Sequence, residues 1–450
     1  MRPREPWKVE DKMAAGARSR VRLGLIFLLF LVSAIAFLDR TNISVAGVEM
    51  RKDYGIDQVH LGWVFSAFLI GYALFQVPAG WLAARFGPRK VLTLALVWWG
   101  LFSALTALVP PHARHALLLL FLVRFTLGIG EAVVYPSGNQ LISRWIPAQE
   151  RGKANGWIFA GVGAGSGISP PLITAIILAA GWRASFYVCA AIGLVAGIIW
   201  YLAARDTPQE HPAVNRAELD HIERGLSPAA TGPRGPVPWR AMLTSRNVWG
   251  LFLSYFAFGY VIWIFFSWFY IYLAEARHLD LKASAAYAML PFLCMTLGCL
   301  AGGVINDAIS RRYGLYWGRS GLAVVAFVLT GTFLLLGSTV DNVLLAVVIL
   351  AGGAGAIYLS QSSFWSVTAD IAGPHTGVVS GFMNMGCQIG GAVTSSLTPW
   401  IAAQYGWAAA FAAGAAVVLL GVIAWAIVDP NRPLLSEQPE PATLTAAAIA

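Results

Sequence analysis

The sequence predicts an all-α membrane protein whose twelve transmembrane helices form two six-helix bundles. The first observation is composition, because 58% of the 450 residues are hydrophobic and only 12% are charged, with a mean hydropathy of +0.65. The second is that apolar stretches of roughly 18 or more residues, enough to cross a bilayer core about 30 Å thick, recur about twelve times. The third is a sequence relationship between the two halves of the chain.

The twelve predicted spans form a first bundle over residues 23–203 and a second bundle over residues 246–428. Each span is long enough for a helix, at about 1.5 Å of rise per residue, to cross the hydrocarbon core. In chain order the predicted spans are residues 23–49, 58–84, 90–109, 117–144, 153–180, 184–203, 246–274, 284–306, 317–338, 343–369, 376–403 and 407–428.

Three polar segments lie outside the two bundles. Residues 1–22 carry seven Lys or Arg, which predicts a cytoplasmic amino terminus by the positive-inside rule. The linker of residues 204–245 is rich in Pro and balanced in charge, and we expect it to lie in the cytoplasm with a short surface helix inside it. Residues 429–450 are predicted to form a disordered cytoplasmic tail.

The two halves of the chain match when the sequence is shifted by 225 residues. The coincidences are mostly glycines and bulky residues of the fifth and sixth spans. They place Gly156, Gly161, Gly165, Leu172, Ile176, Gly181, Trp182, Ala184 and Phe186 on Gly381, Gly386, Gly390, Leu397, Ile401, Gly406, Trp407, Ala409 and Phe411. Repeated six-span units are typical of transporters, whose substrate site lies between the repeats near mid-membrane.

Four charged residues lie well away from the ends of the predicted spans of the first half: Asp39 and Arg40 in span one, Arg124 and Glu131 in span four. A charge at mid-bilayer costs roughly 2.5–3.5 kcal/mol on insertion scales, so such residues usually face a partner or a watery cavity. Arg124 and Glu131 share a helix face about 10 Å apart, so we expect each to have another partner. A span-end salt bridge, or a helix that begins to leave the membrane at Asp39, is the alternative for Asp39 and Arg40.

The corresponding positions of the second half are apolar, with Ile264, Phe265 and Ala356 in place of charged residues. Charge is therefore concentrated in one half. An arginine in a cavity of low dielectric constant holds a carboxylate in a planar two-bond fork. A desolvated acid there can exchange a proton near neutral pH. These groups together predict a proton-coupled anion transporter.

Several function classes are not supported. Cys189, Cys294, Cys299 and Cys387 lie in apolar spans without the spacing of a metal site or a disulfide framework. The histidines form no HExxH-type pair, and no nucleophile, base and metal set converges in the spans. We therefore expect neither an enzyme, a metal nor a cofactor. The net charge of +9 follows membrane topology, so no nucleic-acid partner is expected.

Two loops carry related motifs, GWLAARFGPRK at residues 80–90 and GGVINDAISRRYG at residues 302–314. Both resemble the loop signature of the major facilitator superfamily, and IPAQERGKANG at residues 146–156 is similar to that family's loop after span four. A basic turn that obeys the topology rule is the alternative for either copy alone. Ala84 stands where the family usually has an aspartate, which puts one conformational latch in doubt. The resemblance implies conformational roles for Gly80, Gly87, Arg89, Lys90, Asp307, Arg311 and Arg312.

Within that superfamily, nearly the whole chain resembles the anion:cation symporter family, which includes bacterial sugar-acid, tartrate and phthalate transporters and animal organic-anion carriers. The similar stretches are FLDRTNISVA, RFTLGIGEAVVYPSGNQLISRWIPAQERGKANG, RDTPQEHP and SWFYIYLAEARHLDL. The resemblance implies that Arg40 contacts the substrate carboxylate and that Asp39 and Glu131 take the coupling proton. It also implies that Arg124 is a substrate-binding residue and helps to link substrate binding to proton uptake.

The same resemblance implies that four more residues line the substrate site: Tyr72, Ser362, Trp365 and Asn384. Helix packing through small-residue faces is the alternative for each of them. The aromatic seventh span, YVIWIFFSWFYIY, is more typical of a lipid-facing or interfacial belt, although some of it can shape the cavity. The Gly-rich residues 161–171 are similar to the superfamily's span-five signature and are expected to act in packing and as a hinge.

The combined prediction is a multi-pass carrier of the bacterial inner membrane that imports a small organic anion with protons by alternating access. A sugar acid or related carboxylate is the expected substrate, and we expect a monomer in the lipid bilayer. One alternative is a proton-driven exporter of organic acids or drugs. The other is a non-transporting membrane sensor on the same fold, which would retain ligand binding without uptake.

Overall fold

The computed structural model describes residues 18–147, 150–225, 239–372, 376–432 and residue 434. Within these ranges every regular element is a helix. Most of the predicted basic leader, the middle of the linker and nearly all of the predicted disordered tail lie outside the described residues.

The first half contains seven helices, the fourth and fifth of which together form the predicted fourth span. Their order and bounds are α1 (Val21–Tyr54), α2 (Gln58–Phe86), α3 (Pro88–Leu108), α4 (Ala116–Glu131), α5 (Val134–Trp145), α6 (Arg151–Ala180) and α7 (Trp182–Ala203).

Two short linker helices and the helices of the second half follow. They are α8 (Arg216–Gly225), α9 (Trp239–Thr244), α10 (Arg246–Ser267), α11 (Phe269–Ile271), α12 (Leu281–Tyr313), α13 (Leu322–Thr339), α14 (Val343–Tyr358), α15 (Gln361–Ala372), α16 (Thr376–Tyr405) and α17 (Trp407–Ile427). Single π-helical turns extend α11 over Tyr272–Ala276 and precede α13 over Trp317–Gly321.

Eleven helical segments of the described chain are long and apolar enough to cross a membrane. The helix α16 is also long, at 30 residues, but Gly, Ser, Thr, Asn and Gln lower its hydropathy. With α16 the number of membrane-length segments is twelve, in agreement with the predicted fold class.

The predicted fourth and tenth spans are present, but each contains a break between two helices. The fourth breaks after Glu131, where Pro136 has no N–H group to donate to the carbonyl of Ala132. The tenth breaks between α14 and α15, where the hydroxyl of Ser360 donates to the carbonyl of Ile357 at 2.6 Å. Such a bond competes with the helical backbone bond.

Glycines that match between the halves pack in the same way. A Cβ atom on Gly165 of α6 would lie 2.0 Å from the carbonyl oxygen of Ala34 in α1. The equivalent atom on Gly390 of α16 would lie 2.1 Å from the carbonyl oxygen of Phe256 in α10. Because small residues let membrane helices approach closely, the sequence repeat corresponds to a repeat in helix packing.

The expectation that the aromatic seventh span faces lipid is wrong. Residues 261–273 are all buried. In the most apolar window of α10, 78% of residues are buried, compared with 33–61% in the other apolar spans. The physical reason is that α10 packs against α16 and α17 and also touches α1, so its rings fill the space between helices of both halves.

The helix pairs α2 with α16 and α6 with α12 pack the two halves together, and a group of polar contacts also joins the halves near the end of α1, at a surface that we call the Arg51 face. There the guanidinium of Arg51 pairs with the carboxylate of Glu275, which also accepts from Gln58 at 2.8 Å. Nearby, the hydroxyl of Ser44 donates to the carbonyl of Ser267 at 2.7 Å. The opposite surface, where α1 begins, is the Arg22 face.

The predicted short surface helix of the linker corresponds to α8, which is anchored by a buried residue. Glu218 is fully buried, and its carboxylate accepts from the backbone N–H groups of Val21 and Arg22 at 3.1 and 3.2 Å. It therefore satisfies donors at the first turn of α1, which otherwise lack intrahelical partners. The ring of His221 reaches Glu150 at 2.9 Å, which ties α8 to the start of α6 as well.

Candidate functional site

A buried ion pair joins α1 to the end of α4. The Nε atom of Arg40 donates to Oε2 of Glu131 at 2.7 Å, and the two residues are 4% and 0% exposed. We expected Glu131 to have a partner other than Arg124, and that partner is Arg40. Neither side chain is saturated, because Nη2 of Arg40 and Oε1 of Glu131 have no hydrogen-bond partner among the described residues.

Three aromatic rings surround the guanidinium of Arg40. Its central carbon lies 4.6 Å from the ring centre of Phe37, 5.4 Å from Phe68 and 4.8 Å from Tyr72. Phe37 and Arg40 are three residues apart on α1, and Phe68 and Tyr72 are four apart on α2, so each pair shares a helix face. Aromatic faces attract a cation and compensate part of its lost hydration.

A second acid and base lie deeper in the first half. Oδ1 of Asp39 accepts from the hydroxyl of Ser103 in α3 at 2.5 Å, and Asp39 is fully buried. Arg124 is 1% exposed and lies 5.2 Å from the Phe68 ring centre. Within the part of the chain that the structure describes, Nε and Nη1 of Arg124 and Oδ2 of Asp39 have no hydrogen-bond partner.

Tyr135, on the first half's side of the site, is another aromatic residue that had not been predicted. Its hydroxyl lies 3.0 Å from the hydroxyl of Ser33, and its ring stacks on Phe159 with centres 5.8 Å apart. Phe159 in turn lies 5.6 Å from Trp365 of α15. This row of rings brings the predicted residue Trp365 to the first half, with its indole N–H free of any described acceptor.

The remaining predicted lining residues lie in two different places. The amide of Asn384 donates to Oε1 of Gln76 at 3.3 Å, which joins α16 to α2. Gln76 is one helical turn after Tyr72, so Asn384 belongs to the same region as the aromatic rings. The hydroxyl of Ser362 instead accepts from Asn306 of α12 at 3.4 Å, within the polar network at the end of α12.

Helical spacing could have identified two of the residues that sequence analysis missed. Gln76 follows Tyr72 by four positions and Tyr135 follows Glu131 by four, so each shares a face with a predicted residue. The hydroxyl of Ser103 gave no signal, because a lone serine in an apolar span usually bonds its own helix.

The first predicted loop motif is closed by an aspartate from the linker. Gly87 has φ +86°, and a Cβ atom there would lie 2.6 Å from the carboxylate of Asp206, so only glycine fits. The same carboxylate accepts from the backbone N–H of Arg89 at 2.8 Å, while the Arg89 side chain donates to the carbonyl of Tyr201. Gly80 lies within α2, and Lys90 is exposed in the first turn of α3.

The second loop motif is organised by Arg319 and not by the two predicted arginines. Arg319 lies 3.6 Å from Asp307 and 3.2 Å from Asp370, and it also bonds Asn306. Arg311 and Arg312 are exposed at the end of α12. The two motifs therefore differ in the residues that hold them.

The arrangement offers acid–base and anion-binding chemistry inside a helical bundle. No group of three or more His, Cys, Asp or Glu suited to a metal occurs in the residues that the structure describes. Arg40 and Arg124 border the shared ring of Phe68, and they are buried together with Asp39 and Glu131; all four residues are nine-tenths or more buried.

Residues 29–395 match the family model described as Major Facilitator Superfamily. The chain belongs to the major facilitator superfamily. The match covers both halves of the helical architecture and the whole of the charged site. The major facilitator chain is therefore a multi-pass membrane protein of a transport family, and it is not an enzyme.

Curated relatives in this superfamily are similar over most of their length. The chain is 32% identical over 418 residues to the probable sulfoacetate transporter of Cupriavidus necator, covering 92% of this chain and 95% of the relative. It is 30% identical over 394 residues to the probable galactarate/D-glucarate transporter of Escherichia coli, covering 84% and 86%.

A solved structure supports the superfamily fold. The crystal structure of a D-xylose–proton symporter matches with a TM-score of 0.71 at 15% identity, covering 91% of this chain and 98% of the other. At this identity the likeness concerns the fold alone.

Proposed function

We propose that this chain imports a small organic anion by proton symport with alternating access. A sugar acid or a related carboxylate is the proposed substrate, and a bacterial inner membrane the proposed location. The names of the relatives, which include sulfoacetate and galactarate/D-glucarate transporters, support the substrate class. The observation that carries the proposal is the buried pair of Arg40 and Glu131, each of which keeps one free polar atom.

The proposed coupling is a competition for Arg40. In the described state the guanidinium binds the carboxylate of Glu131. A substrate carboxylate needs the same donors, because a planar guanidinium gives its strongest contact to one carboxylate through two parallel bonds. Protonation of Glu131 weakens its hold on Arg40 and frees the guanidinium, so proton binding and anion binding favour each other.

Charge balance supports protonation of the acids during transport. Two arginines and two ionised carboxylates give a neutral site, and an added anion would leave one uncompensated charge in a buried environment, which is costly. A proton on Glu131 or Asp39 restores neutrality. We assign Arg124 to the link between the two acids, because it lies beside Phe68, the ring that also borders Arg40.

The groups around Arg40 supply further substrate contacts in this proposal. Tyr72, Tyr135 and Trp365 offer rings, and Asn384 with Gln76 offers amide groups to hydroxyls of a polyol acid. Ser362 is retained as a lining residue that becomes available if the network at Asn306 opens. The chain is proposed to act as a monomer, with both termini in the cytoplasm.

Alternating access would proceed by rocking of the two bundles. The contacts at the Arg51 face would hold one gate closed in the described state, and opening there would require Arg51 and Glu275 to separate. A ligand drives such a change only through different affinities for the two states.

The direct test is uptake into proteoliposomes of radiolabelled sugar acids, dicarboxylates, sulfoacetate and aromatic acids, with and without an inward proton gradient. The proposal expects gradient-stimulated uptake of at least one acid by the wild type and none by Arg40→Ala. Accumulation of no acid, or full activity of the arginine variant, would contradict it and favour the exporter or the sensor.

A further inference from the structure

Asn42 lies one helical turn after Asp39 on α1, inside the first half. It is fully buried, and its Nδ2 atom has no hydrogen-bond partner among the described residues. Oδ2 of Asp39 is also buried and has no hydrogen-bond partner among the described residues. Residues three apart on a helix are surface neighbours, about 5–6 Å between Cβ atoms, so the two free polar groups lie side by side.

The contact of Asn42 with α7 has an unusual feature. The hydroxyl of Ser185 lies 2.7 Å from Oδ1 of Asn42 and also 2.7 Å from the carbonyl oxygen of Trp182. Both neighbours are acceptors, but a hydroxyl has a single proton to donate. One of the two short contacts is therefore without a proton when the Asn42 amide has this orientation.

Rotating the side-chain amide of Asn42 by 180° gives Nδ2 an acceptor and also removes the contact of Ser185 that lacks a proton. With the amide reversed, Nδ2 of Asn42 donates to the hydroxyl of Ser185, and that hydroxyl donates to the carbonyl of Trp182. Oδ1 then faces Asp39, where it can accept a hydrogen bond only from a protonated carboxyl group. In the first orientation Nδ2 is the free atom, and it is the donor that suits an ionised carboxylate of Asp39.

We propose that Asn42 is a positioning residue whose side-chain amide turns with the protonation of Asp39 and transmits the change to Ser185 on α7. When Asp39 gains a proton from water, an O–H bond forms at Oδ2 and donates to Oδ1 of Asn42. When the proton returns to water, that bond breaks and Nδ2 of Asn42 donates to the carboxylate. This inference rests on the proposed role of Asp39 in proton coupling.

The surroundings of Asp39 give such a switch its function. Ser103 donates to Oδ1, so the donors left for Oδ2 are the indole N–H of Trp99 on α3 and, in this proposal, the amide of Asn42, neither of which has another described acceptor. The charged and titratable groups that face Asp39 are Arg40 on its own helix, Arg124 and Glu131 on α4, and the thiol of Cys189 on α7; the indole of Trp99 on α3 lies beside it as well. Asn42 is neutral and can pair with either state of the acid, so it eases proton exchange without holding one charge state in place.

The switch also connects the buried acid to the Arg51 face. Trp182, whose carbonyl receives the hydroxyl of Ser185, donates its indole N–H to Asp53 at 2.8 Å. Asp53 has 43% of its side chain exposed. A series of polar groups therefore runs along α1 and α7 from Asp53 to Asp39. It does not include the aromatic rings around Arg40.

The test compares wild type with Asn42→Leu, which keeps the volume and removes both polar atoms, and with Asn42→Ser. Thr106→Val is the matched control, because Thr106 is buried on α3 and donates only to the carbonyl of Phe102. We expect gradient-driven uptake in Asn42→Leu to fall about tenfold or more, with partial recovery in Asn42→Ser. Substrate exchange without a gradient should stay within about twofold of wild type, which shows a folded carrier.

Infrared spectroscopy provides a second measurement that needs no substrate. Acidification should produce a C=O band of protonated Asp39, which is identified by its loss in Asp39→Asn. The frequency of this band should be shifted in Asn42→Leu and unchanged in Thr106→Val. The same band frequency in Asn42→Leu, or absence of the band in wild type, would overturn the proposal. If wild type shows no gradient-driven uptake but the band shifts as expected, the proposed function fails and the amide switch stands.

Discussion

Arg40 is held by an ion pair and by three rings, and both contacts depend on guanidinium chemistry. The Nε atom of Arg40 donates to Glu131, and the outer edge of the guanidinium stays free. Its Nη2 atom has no hydrogen-bond partner among the described residues. A lysine ammonium is a hydrated point charge that cannot present this second edge. Arg40 can therefore exchange one carboxylate for another without leaving its aromatic surroundings.

Arg40→Lys should keep the positive charge but lose transport. We expect kcat/KM for the preferred anion to fall about 30- to 1000-fold, the equivalent of roughly 2–4 kcal/mol for a buried hydrogen-bonded charge pair. Initial uptake rates in proteoliposomes at equal protein density measure this loss. Wild-type rates in Arg40→Lys would refute a fork-shaped contact, and Arg183→Lys at the exposed end of α7 serves as the control.

Phe68→Leu should weaken anion transport because one ring borders both buried arginines. Its centre lies 5.4 Å from the Arg40 carbon and 5.2 Å from the Arg124 carbon. Loss of desolvated cation–π contacts worth about 1–2 kcal/mol predicts about a 5- to 30-fold decrease in kcat/KM. The control is Phe65→Leu on the same helix, whose ring packs on Trp268 instead. Equal losses in both variants would assign the effect to packing alone.

At the scale of elements, apolar length predicted which segments are helical but not where helices break or which faces are buried. The interruption after Glu131 depends on Pro136. A hydropathy average over the span does not detect the effect of a single proline on the helix. The aromatic rings of α10 had the composition of a lipid-facing belt, yet they are buried by α16, α17 and α1. Burial of a uniformly apolar helix depends on its neighbours, which composition does not encode.

Close packing of α6 on α1 predicts an intolerant position at Gly165. A Cβ atom there would meet a backbone carbonyl at 2.0 Å, so Gly165→Val should destabilise the protein by about 1–3 kcal/mol or prevent folding. Gly156→Val, in the same helix with nothing within 4 Å of its Cβ position, should be tolerated. Thermal unfolding in detergent compares the two, and equal midpoints would contradict the packing.

The attachment of α8 should depend on pH through Glu150. Partial burial raises the pKa of this carboxyl group, but hydrogen bonds from His221 and Arg22 outweigh that effect, so the pKa lies below the usual value of 4.5. A depressed pKa in the folded state contributes stability above pH 4.5, and this contribution disappears as pH falls through the folded value.

The corresponding variant is Glu150→Gln, which should lower the unfolding midpoint by about 1–3 °C at pH 7 and by less at acidic pH. Asp220→Asn, at an exposed position of α8, is the control and should show little change at either pH. A destabilisation by Glu150→Gln that grows on acidification would show that the sign is wrong.

For the whole molecule, the recurring apolar stretches predicted twelve segments, and the sequence repeat predicted two related bundles because matched glycines impose matched helix contacts. The four charged residues could be identified from sequence, since a charge inside an apolar span is conspicuous. Their pairing could not, because Arg40 and Glu131 are 91 residues apart and meet only through helix packing. The same limit applies to Asp206, which closes the first loop motif where Ala84 had suggested a missing contact.

The contact of Arg51 with Glu275 should favour the state in which the Arg51 face is closed. Glu275→Gln removes the charge that holds Arg51, so the population open at this face should increase. Distances between spin labels placed on the two halves at that face would measure the change, with Glu49→Gln as the control because Glu49 pairs only with Lys52 on its own helix. Unchanged distances in Glu275→Gln would exclude a gating role.

The most direct test of the central claim, that anion and proton compete around the Arg40–Glu131 pair, is Glu131→Gln in proteoliposomes. The amide imitates a protonated acid and leaves Arg40 free, so exchange of the transported anion should persist and lose its dependence on pH. Gradient-driven accumulation should fall to background, because no proton is released at that site. If Glu131→Gln still accumulates the anion with a proton gradient, or loses exchange while remaining folded, the competition between Glu131 and the anion for Arg40 is contradicted.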